Sequence, residues 1–329
     1  ALTRNQWAHA APLGPPAAAL LGANSWGLVE LILDRFAMRF SGSRTRVAEL
    51  RYWCPAKLRC FDVLISLQNR MNIHENHVRC FYDGLASSYH LLYENWEQAI
   101  EDQGGALSTL LKRYGVSPRM KILDAACGIG TQALGLAKSG YDVSASDISP
   151  AAVNRLNQEL KKRALNARTC VDDLRVLRNA EPASFAAVLA CDNSVPHLLS
   201  DSDILCAFRA IFQRLRPGGV FVMSVRDYAE IPRISPDVRP YGLRHVDGNR
   251  FFAVQIWEWE GDQYDLSIYL TTHFGDGRCT TEVLRSTYYA VTIDRLNSLL
   301  AEAGFVDTQR FDQLLFQPVI VTQRPNTSA

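Results

Sequence analysis

From about residue 80 onward, segments whose hydrophobic positions are typical of strands alternate with segments whose hydrophobic positions have helical spacing. Short apolar runs predict strands at 120–125, 141–147, 167–171, 185–191 and 220–225. Helical spacing of apolar residues predicts helices at 81–111, 132–138, 150–163 and 201–215. Because strands alternate with helices, the sequence predicts an α/β fold with a doubly wound, mostly parallel sheet.

The rhythm changes after residue 226, where longer strand-like segments follow one another without helices between them. Three segments are typical of consecutive antiparallel strands: 250–259, 263–273 and 279–291. The remaining elements are a helix at 292–303 and strands at 306–312 and 315–323, which bring the main sheet to seven strands. We therefore expect a β-rich insertion at 250–291, after strand five, that covers the ligand side of the sheet.

The first part of the chain is atypical, since residues 1–60 are rich in Ala, Pro and Arg and poor in acidic residues. Three interpretations stay open: an organelle transit segment, an accessory helix, or translated upstream sequence with the true start at Met71. We favour the third. The predicted organisation is an N-terminal extension, 1–70, followed by one domain, 71–329.

Composition limits the function classes. The chain has 329 residues, of which 47% are hydrophobic and 21% charged, and its formal net charge is +1. This near-neutral balance gives no electrostatic reason to expect nucleic acid as a partner, and no apolar run reaches the length of a membrane span. The eight cysteines form no C-x-x-C pair, so we expect reduced thiols in a cytoplasmic protein and no metal site.

A glycine turn after the first predicted strand carries the clearest chemistry. The segment D-A-A-C-G-I-G-T, Asp124 to Thr131, joins the strand to a helix. Gly128 and Gly130 permit tight backbone geometry, and the helix start offers free N–H groups to a ligand. A dinucleotide fits the relaxed G-x-G-x-x-A pattern. Asp124 argues against a pyrophosphate and favours S-adenosylmethionine (SAM), because SAM carries a sulfonium and an ammonium group.

Acidic and polar residues also follow the later strands. Asp147 ends strand two, Asp172 and Asp173 follow strand three, and Asp192-Asn193-Ser194 follows strand four. Ligands of doubly wound sheets bind at these carboxyl ends. A carboxylate at position 147 suits two ribose hydroxyls, since each of its oxygens accepts hydrogen bonds.

Residues 80–323 resemble the glycine/sarcosine N-methyltransferase branch of the class I SAM-dependent methyltransferases, whose fold is Rossmann-like. The resemblance rests on the glycine turn, D-N-S-V-P-H-L from Asp192, L-R-P-G-G from Leu215 and V-R-D-Y from Val225. It implies SAM as cofactor, a small-molecule methyl acceptor and no nucleic acid or membrane partner. A homo-oligomer is compatible with it.

The resemblance also implies roles for individual residues. The implied cofactor-binding residues are Tyr82, His90, Asp124, Ala126, Gly128, Gly130, Asp147, Asp172, Asp173, Leu174, Cys191 and Ser194. The implied catalytic or acceptor-contacting residues are Asn193, Arg226 and Tyr228. Arg226 would grip an acceptor carboxylate, unless it simply pairs with Asp227 or Glu230.

The expected reaction is direct, in-line methyl transfer to an amine of a glycine-like or other carboxylate-bearing compound. Three alternatives remain open: transfer to a hydroxyl or another small molecule by an enzyme of the same fold, SAM binding without turnover, and nicotinamide oxidoreduction. His197 could act as a base, but the favoured expectation is that it braces the loop after strand four.

Overall fold

The computed structural model describes residues 77–326, and these form two β-sheets with helices packed on the larger one. The helices are α1 (residues 77–85), α2 (Trp96–Arg113), α3 (Thr131–Lys138), α4 (Pro150–Lys162), α5 (Asp201–Arg214) and α6 (Ile293–Glu302). The strands are β1 (Lys121–Asp124), β2 (Asp142–Asp147), β3 (Arg168–Val171), β4 (Phe185–Ala190), β5 (Leu215–Ser224), β6 (Asp237–Val246), β7 (Asn249–Glu260), β8 (Gln263–His273), β9 (Cys279–Tyr289), β10 (Val306–Phe311) and β11 (Val319–Gln323).

The larger sheet has seven strands in the order β10-β11-β5-β4-β1-β2-β3. Strands β1 to β5 are parallel, whereas β11 runs antiparallel to both β5 and β10. All six residues of β4 are buried, as expected for a central strand covered on both faces. The predicted doubly wound, mostly parallel seven-stranded sheet is therefore confirmed.

Local sequence explains how the glycine turn is held in place. Ser149 caps α4 as predicted, since its hydroxyl accepts a hydrogen bond from the Ala152 N–H at 3.0 Å. Helix α3, which follows the turn, packs very closely on α2. A Cβ added to Gly135 would lie 2.4 Å from the carbonyl oxygen of Ile100. Only glycine permits this approach, which fixes α3 beneath the ligand side of the sheet.

The second sheet follows β5 and is antiparallel throughout, in the order β6-β7-β8-β9. It confirms the β-rich insertion, but it begins at residue 237, earlier than the predicted 250. Strand β6 was missed because Pro240 and Gly242 interrupt its apolar pattern, and a bulge between Pro240 and Leu243 breaks its register.

The prediction of one continuous helix over 81–111 is wrong. Helix α1 ends at residue 85, a short 3₁₀ turn occupies Tyr89–Leu92, and α2 begins at Trp96. Asn95 is the reason for the new start, because its backbone is extended and its side chain accepts from the Gln98 N–H at 3.1 Å. The break turns the aromatic residues between the helices toward the ligand side.

The predicted extension and most of its boundary lie outside the described residues, so the division at residue 71 stays a prediction. Within residues 77–326, no helix is both long and apolar enough to cross a membrane.

Candidate functional site

A cleft of about 910 Å³, counted with its open mouth, lies at the carboxyl ends of β1, β2 and β4. This size suits a cofactor-sized ligand. Its wall includes nine of the twelve predicted cofactor-binding residues: Tyr82, Ala126, Gly128, Asp147, Asp172, Asp173, Leu174, Cys191 and Ser194. Helix α1 and the 3₁₀ turn close one side.

The glycine turn and Asp147 form one unit at the floor of the cleft. Gly128 and Gly130 have φ values of +51° and +99°, which an L side chain rarely adopts. The Asp147 carboxylate accepts from the Gly128 N–H at 2.8 Å and from the Ser149 N–H at 2.9 Å. Each carboxylate oxygen can accept a further hydrogen bond, so Asp147 both braces the turn and stays able to bind hydroxyl groups.

Asp124 lies behind the cleft wall with 1% of its surface exposed. Neither of its oxygens completes a hydrogen bond with another of the described residues. Burial, and then the charges of Asp147 and Asp192, raise the pKa of Asp124 to about 8. A nearby cation would stabilise the ionised form of such a buried carboxyl.

Two other predicted contacts serve the loop that follows β3. The Asp172 carboxylate accepts from the backbone N–H groups of Asp173 and Asn179 at 2.9 and 2.8 Å. Asp173 pairs with Arg175, at 3.0 Å from the arginine Nε. On the opposite wall, Cys191 is buried, and the Ser194 hydroxyl is buried without a protein partner in the described part of the chain.

The residues that line the cleft without belonging to the predicted set include Tyr93, Gln132 and Asp192. The Asp192 carboxylate accepts from the Tyr93 hydroxyl and from the Gln132 side-chain amide, each at 3.0 Å. Two signals pointed to them: Asp192 adjoins Asn193, and Gln132 belongs to the first turn after the glycines. Tyr93 could not be placed while residues 81–111 were taken as one helix.

Arg226 lies outside the wall of the cleft, within a cluster of aromatic side chains that we call the aromatic box: Tyr228, Tyr241, Trp257, Tyr264 and Tyr288. Its guanidinium carbon is 5.2 Å from the Trp257 ring centre and 5.9 Å from that of Tyr288. The rings of Trp257 and Tyr264 stack at 4.3 Å, and those of Tyr264 and Tyr288 at 5.2 Å.

No carboxylate of the described residues pairs with Arg226. Its neighbour Asp227 instead accepts from Arg310 Nη1 at 2.7 Å, so the alternative of a simple Arg226–Asp227 pair is not what the structure shows. The Nη1 atom of Arg226 is buried and has no hydrogen-bond partner within residues 77–326. Because arginine is always charged, the box holds a cation that lies over aromatic rings and has no carboxylate partner among the described residues.

Asn193 and Tyr228 hold Arg226 in place. Asn193, buried and at φ +64°, accepts from the Arg226 backbone N–H at 3.0 Å and donates to the Tyr228 hydroxyl at 2.8 Å. That hydroxyl is also 3.1 Å from the Tyr264 hydroxyl. Both predicted residues therefore reach the box, not the wall of the cleft.

His197 connects the cleft to the box. It lines the cleft, its Nε2 is 2.8 Å from the Tyr82 hydroxyl, and its Nδ1 is 3.3 Å from the Ser286 hydroxyl. Its ring centre is 4.0 Å from that of Tyr288, which belongs to the box. Burial raises the pKa values of Tyr82 and Tyr288, so these hydroxyls keep their protons at neutral pH.

His90 is the predicted cofactor residue that the structure places elsewhere. Its ring lies 6.0 Å from that of Trp96, outside the wall of the cleft, and burial followed by the charges of Arg155 and Lys162 lowers its pKa. Gly130 and Asp124 also lie outside the wall, the first beneath the turn, where Leu156 fills the space that a side chain would need.

The charges of the cleft decide between the candidate cofactors. Asp147, Asp172, Asp173, Asp192 and Asp203 line it, and Arg175, its one Lys or Arg in the described residues, already contacts Asp173. A pyrophosphate would be repelled there, whereas a sulfonium and an ammonium would be attracted. The unpartnered carboxyl of Asp124 fits the same cationic ligand. No group of three potential metal ligands occurs within residues 77–326.

Comparison with known proteins agrees with this chemistry. Residues 122–219 match the family model described as a methyltransferase domain. The chain is 26% identical over 201 residues to YqeM of Bacillus subtilis (strain 168), which bears the name of a methyltransferase without a stated acceptor; the match covers 56% of this chain and 76% of that protein. It is 29% identical over 134 residues to the glycine/sarcosine N-methyltransferase of Parasynechococcus marenigrum, covering 41% of this chain and 46% of the relative, about half its length.

A solved structure shows the same fold. CalS10 of Micromonospora echinaspora, a SAM-bound amino pentose methyltransferase, superposes with a TM-score of 0.62 at 18% identity over 72% of this chain and 95% of CalS10. The fold is that of the class I methyltransferases, residues 122–219 match a methyltransferase domain, and SAM is the cofactor that the charges of the cleft fit.

Proposed function

We propose that the protein methylates the amine of a small compound that also carries a carboxylate, with glycine-like amino acids as the simplest examples. The observation that carries this proposal is Arg226, whose buried Nη1 has no partner among the described residues. An unpaired buried charge is costly, so an anionic ligand at this position would relieve the cost. The similarity to a glycine/sarcosine N-methyltransferase supports the same acceptor class.

The aromatic box would bind the acceptor, and the cleft would bind SAM. Arg226 offers a planar fork that binds a carboxylate through two parallel hydrogen bonds. The stacked rings of the aromatic box exclude water around it. Tyr288 and His197 lie between Arg226 and the cleft, so an acceptor held by its carboxylate would extend its amine past them.

When bound, SAM supplies an electrophilic methyl group, so the protein's contribution is alignment and exclusion of water. The acceptor amine must be neutral, and loss of its proton to solvent before binding is sufficient. The ring nitrogens of His197 face the Tyr82 hydroxyl and Ser286. These contacts support its role as a brace between the cleft and the second sheet.

Other acceptors fit the box less well. The name of CalS10 states an amino pentose acceptor, and an enzyme of this fold can also act on a hydroxyl. A neutral sugar or alcohol could accept a hydrogen bond from Arg226 but would not balance its charge. We therefore rank carboxylate-bearing amines first.

A mass-spectrometric screen tests the proposal with matched pairs of acceptors. The full chain and SAM are incubated with glycine and glycinamide, alanine and ethylamine, and an amino sugar. We expect methylated product from the carboxylate member of each pair at a rate at least about tenfold higher, the equivalent of one lost charge-assisted contact. Equal rates within each pair would contradict the carboxylate. SAM binding by calorimetry without product from any acceptor would indicate a binding protein.

A further inference from the structure

An arginine on β6, the strand that the sequence did not predict, links the cofactor cleft to the aromatic box. Pro240 pairs with Val254 of β7, and the next pair is Leu243 with Phe252. Three steps along β6 thus match two steps along β7, so β6 carries one extra residue. Gly242 lies in this bulge with φ +83°. A bulge re-aims the side chains that follow it. The next residue in register, Arg244, pairs with the buried Phe251 and therefore lies on the inner face of the second sheet.

All three nitrogens of the Arg244 guanidinium donate to backbone carbonyls. Nε donates to Tyr93 O at 2.9 Å, Nη2 to Tyr241 O at 2.9 Å and Nη1 to Leu243 O at 3.2 Å. Within residues 77–326 it forms no ion pair with a carboxylate. Its role is thus that of a rigid fork between two stretches of backbone, a geometry that arginine provides and lysine does not.

Of the two backbone segments that it joins, one belongs to the cofactor cleft and the other to the aromatic box. Tyr93 lines the cofactor cleft, and its hydroxyl donates to Asp192 at 3.0 Å. Tyr241 belongs to the aromatic box, beside Arg226. Residues 86–95, which carry Tyr93, connect α1 to α2 without regular helical support beyond one 3₁₀ turn. Arg244 therefore fastens an irregular part of the cleft wall to the sheet that forms the box.

We propose that Arg244 is a positioning residue, which holds the 89–93 segment closed over the cofactor and keeps cleft and box in register. The effect on the cofactor depends only on the fold and the SAM site. The effect on the acceptor rests on the proposed function.

The test compares Arg244→Ala, Arg244→Lys and a matched control, Arg250→Ala. Arg250 is also an arginine of the second sheet, but its contact, 3.0 Å to His273 Nδ1, stays within that sheet. Calorimetry gives the dissociation constant of SAM, and hydrogen exchange of the SAM-bound protein reports on residues 89–93. We expect the dissociation constant to rise about tenfold for Arg244→Ala and about threefold for Arg244→Lys, since charged hydrogen bonds to backbone are among the stronger ones.

Faster exchange should be confined to residues 89–93 and the adjoining part of β6, and Arg250→Ala should match the wild type in both measurements. General destabilisation would instead speed exchange throughout β6 to β9. Wild-type affinity and exchange in Arg244→Ala would overturn the proposal. If that variant does not fold, wild-type values for Arg244→Lys overturn it. Neither measurement needs an acceptor, so both remain decisive if the carboxylate proposal fails.

Discussion

The cofactor cleft and the aromatic box differ in charge, in the elements that form them and in how far the sequence alone predicts them. The cleft is lined by aspartates and is built from loops that follow successive parallel strands. The box surrounds Arg226, which has no carboxylate partner among the described residues, with rings from β6, β7, β8, β9 and the segment that follows β5.

The charge difference has a consequence for an amino acid acceptor. Its carboxylate would be repelled by the aspartates of the cleft and attracted by Arg226, so its amine, which is neutral when it reacts, would point toward the cleft. The opposite charges of the box and the cleft would thus orient such an acceptor through its carboxylate, without a dedicated contact to its amine. Such an orientation requires that acceptor binding at the box and SAM binding in the cleft can be changed independently of each other.

The largest effect is expected when the cation is removed from the box. Arg226→Ala should lower kcat/KM for a carboxylate-bearing acceptor by about 10²–10³-fold, because breaking a buried charge pair costs roughly 2–5 kcal/mol. The dissociation constant of SAM should stay within about twofold of the wild type, since Arg226 does not line the cleft. Steady-state kinetics and calorimetry on the same preparation measure both.

Arg233→Ala is the matched control for this substitution. Arg233 also lies over a tryptophan, 5.5 Å from the Trp259 ring centre, but it already pairs with Asp262 at 2.8 Å. Its removal should leave acceptor kinetics unchanged. Equal losses in both variants would show that stacking on the sheet, not the free charge of Arg226, matters.

A smaller effect, confined to the cleft, is expected from Asp147→Asn. One of the two backbone N–H groups now bound by the carboxylate would face an amide N–H₂ group, and one acceptor for hydroxyl groups would be lost. We expect SAM to bind about 10–100-fold more weakly, as for the loss of a charged hydrogen bond of roughly 1.5–3 kcal/mol.

Asp142→Asn serves as the control, because Asp142 begins the same strand and pairs only with the exposed Arg168 at 2.7 Å. Its affinity for SAM should equal that of the wild type. Calorimetry with both variants decides the matter: similar affinities in the two would remove Asp147 from the cofactor site.

Asp124 predicts a pH dependence that the box does not share. Its folded-state pKa of about 8 lies above the ordinary carboxyl value, so the folded state keeps a proton that the unfolded state has lost. The stability of the SAM-free protein should therefore fall as the pH rises from about 4 to about 8. A bound cation reverses the preference, so SAM affinity should increase over the upper part of the same range.

Asp124→Asn should weaken both trends, and the remainder should come from Asp147, whose pKa is also raised by burial. Without SAM, the variant should melt at a higher temperature than the wild type at pH 8–9, because it removes a buried carboxylate. Its affinity for SAM at that pH should be about tenfold lower, the equivalent of one pKa unit of differential interaction. Thermal melts and calorimetry between pH 5 and 9 measure this, and since the titration of SAM itself is common to both proteins, identical pH profiles would exclude Asp124 as the source.

The sequence foretold the cleft better than the box for a physical reason. Asp124, Gly128 and Asp147 act through backbone geometry that is encoded within a few residues of each strand end, so local patterns reveal them. The position of His90, outside the wall of the cleft, depends on the path of residues 86–95, which the helical pattern of aromatic residues conceals and which Asn95 sets by beginning a new helix.

The box is assembled by long-range pairing, which a single sequence does not display. Tyr241 lies on β6, whose bulge at Gly242 hides the alternation of a strand. Trp257, Tyr264 and Tyr288 stack only because β7, β8 and β9 pair in one register. Arg226 itself was found through the resemblance, but its lack of an acidic partner is visible only in three dimensions.

The smallest expected effect concerns the support of Arg226. Tyr228→Phe removes the hydroxyl that accepts from Asn193 at 2.8 Å and leaves that buried amide unsatisfied, at a cost of roughly 1 kcal/mol. Acceptor kcat/KM should therefore fall about fivefold, with SAM affinity unchanged. Tyr289→Phe, which removes a half-buried hydroxyl bonded to Asp201 at 3.0 Å, should leave both values intact. A loss of SAM affinity in Tyr228→Phe would show that box and cleft are one energetic unit, and the independence on which the orientation of the acceptor depends would no longer hold.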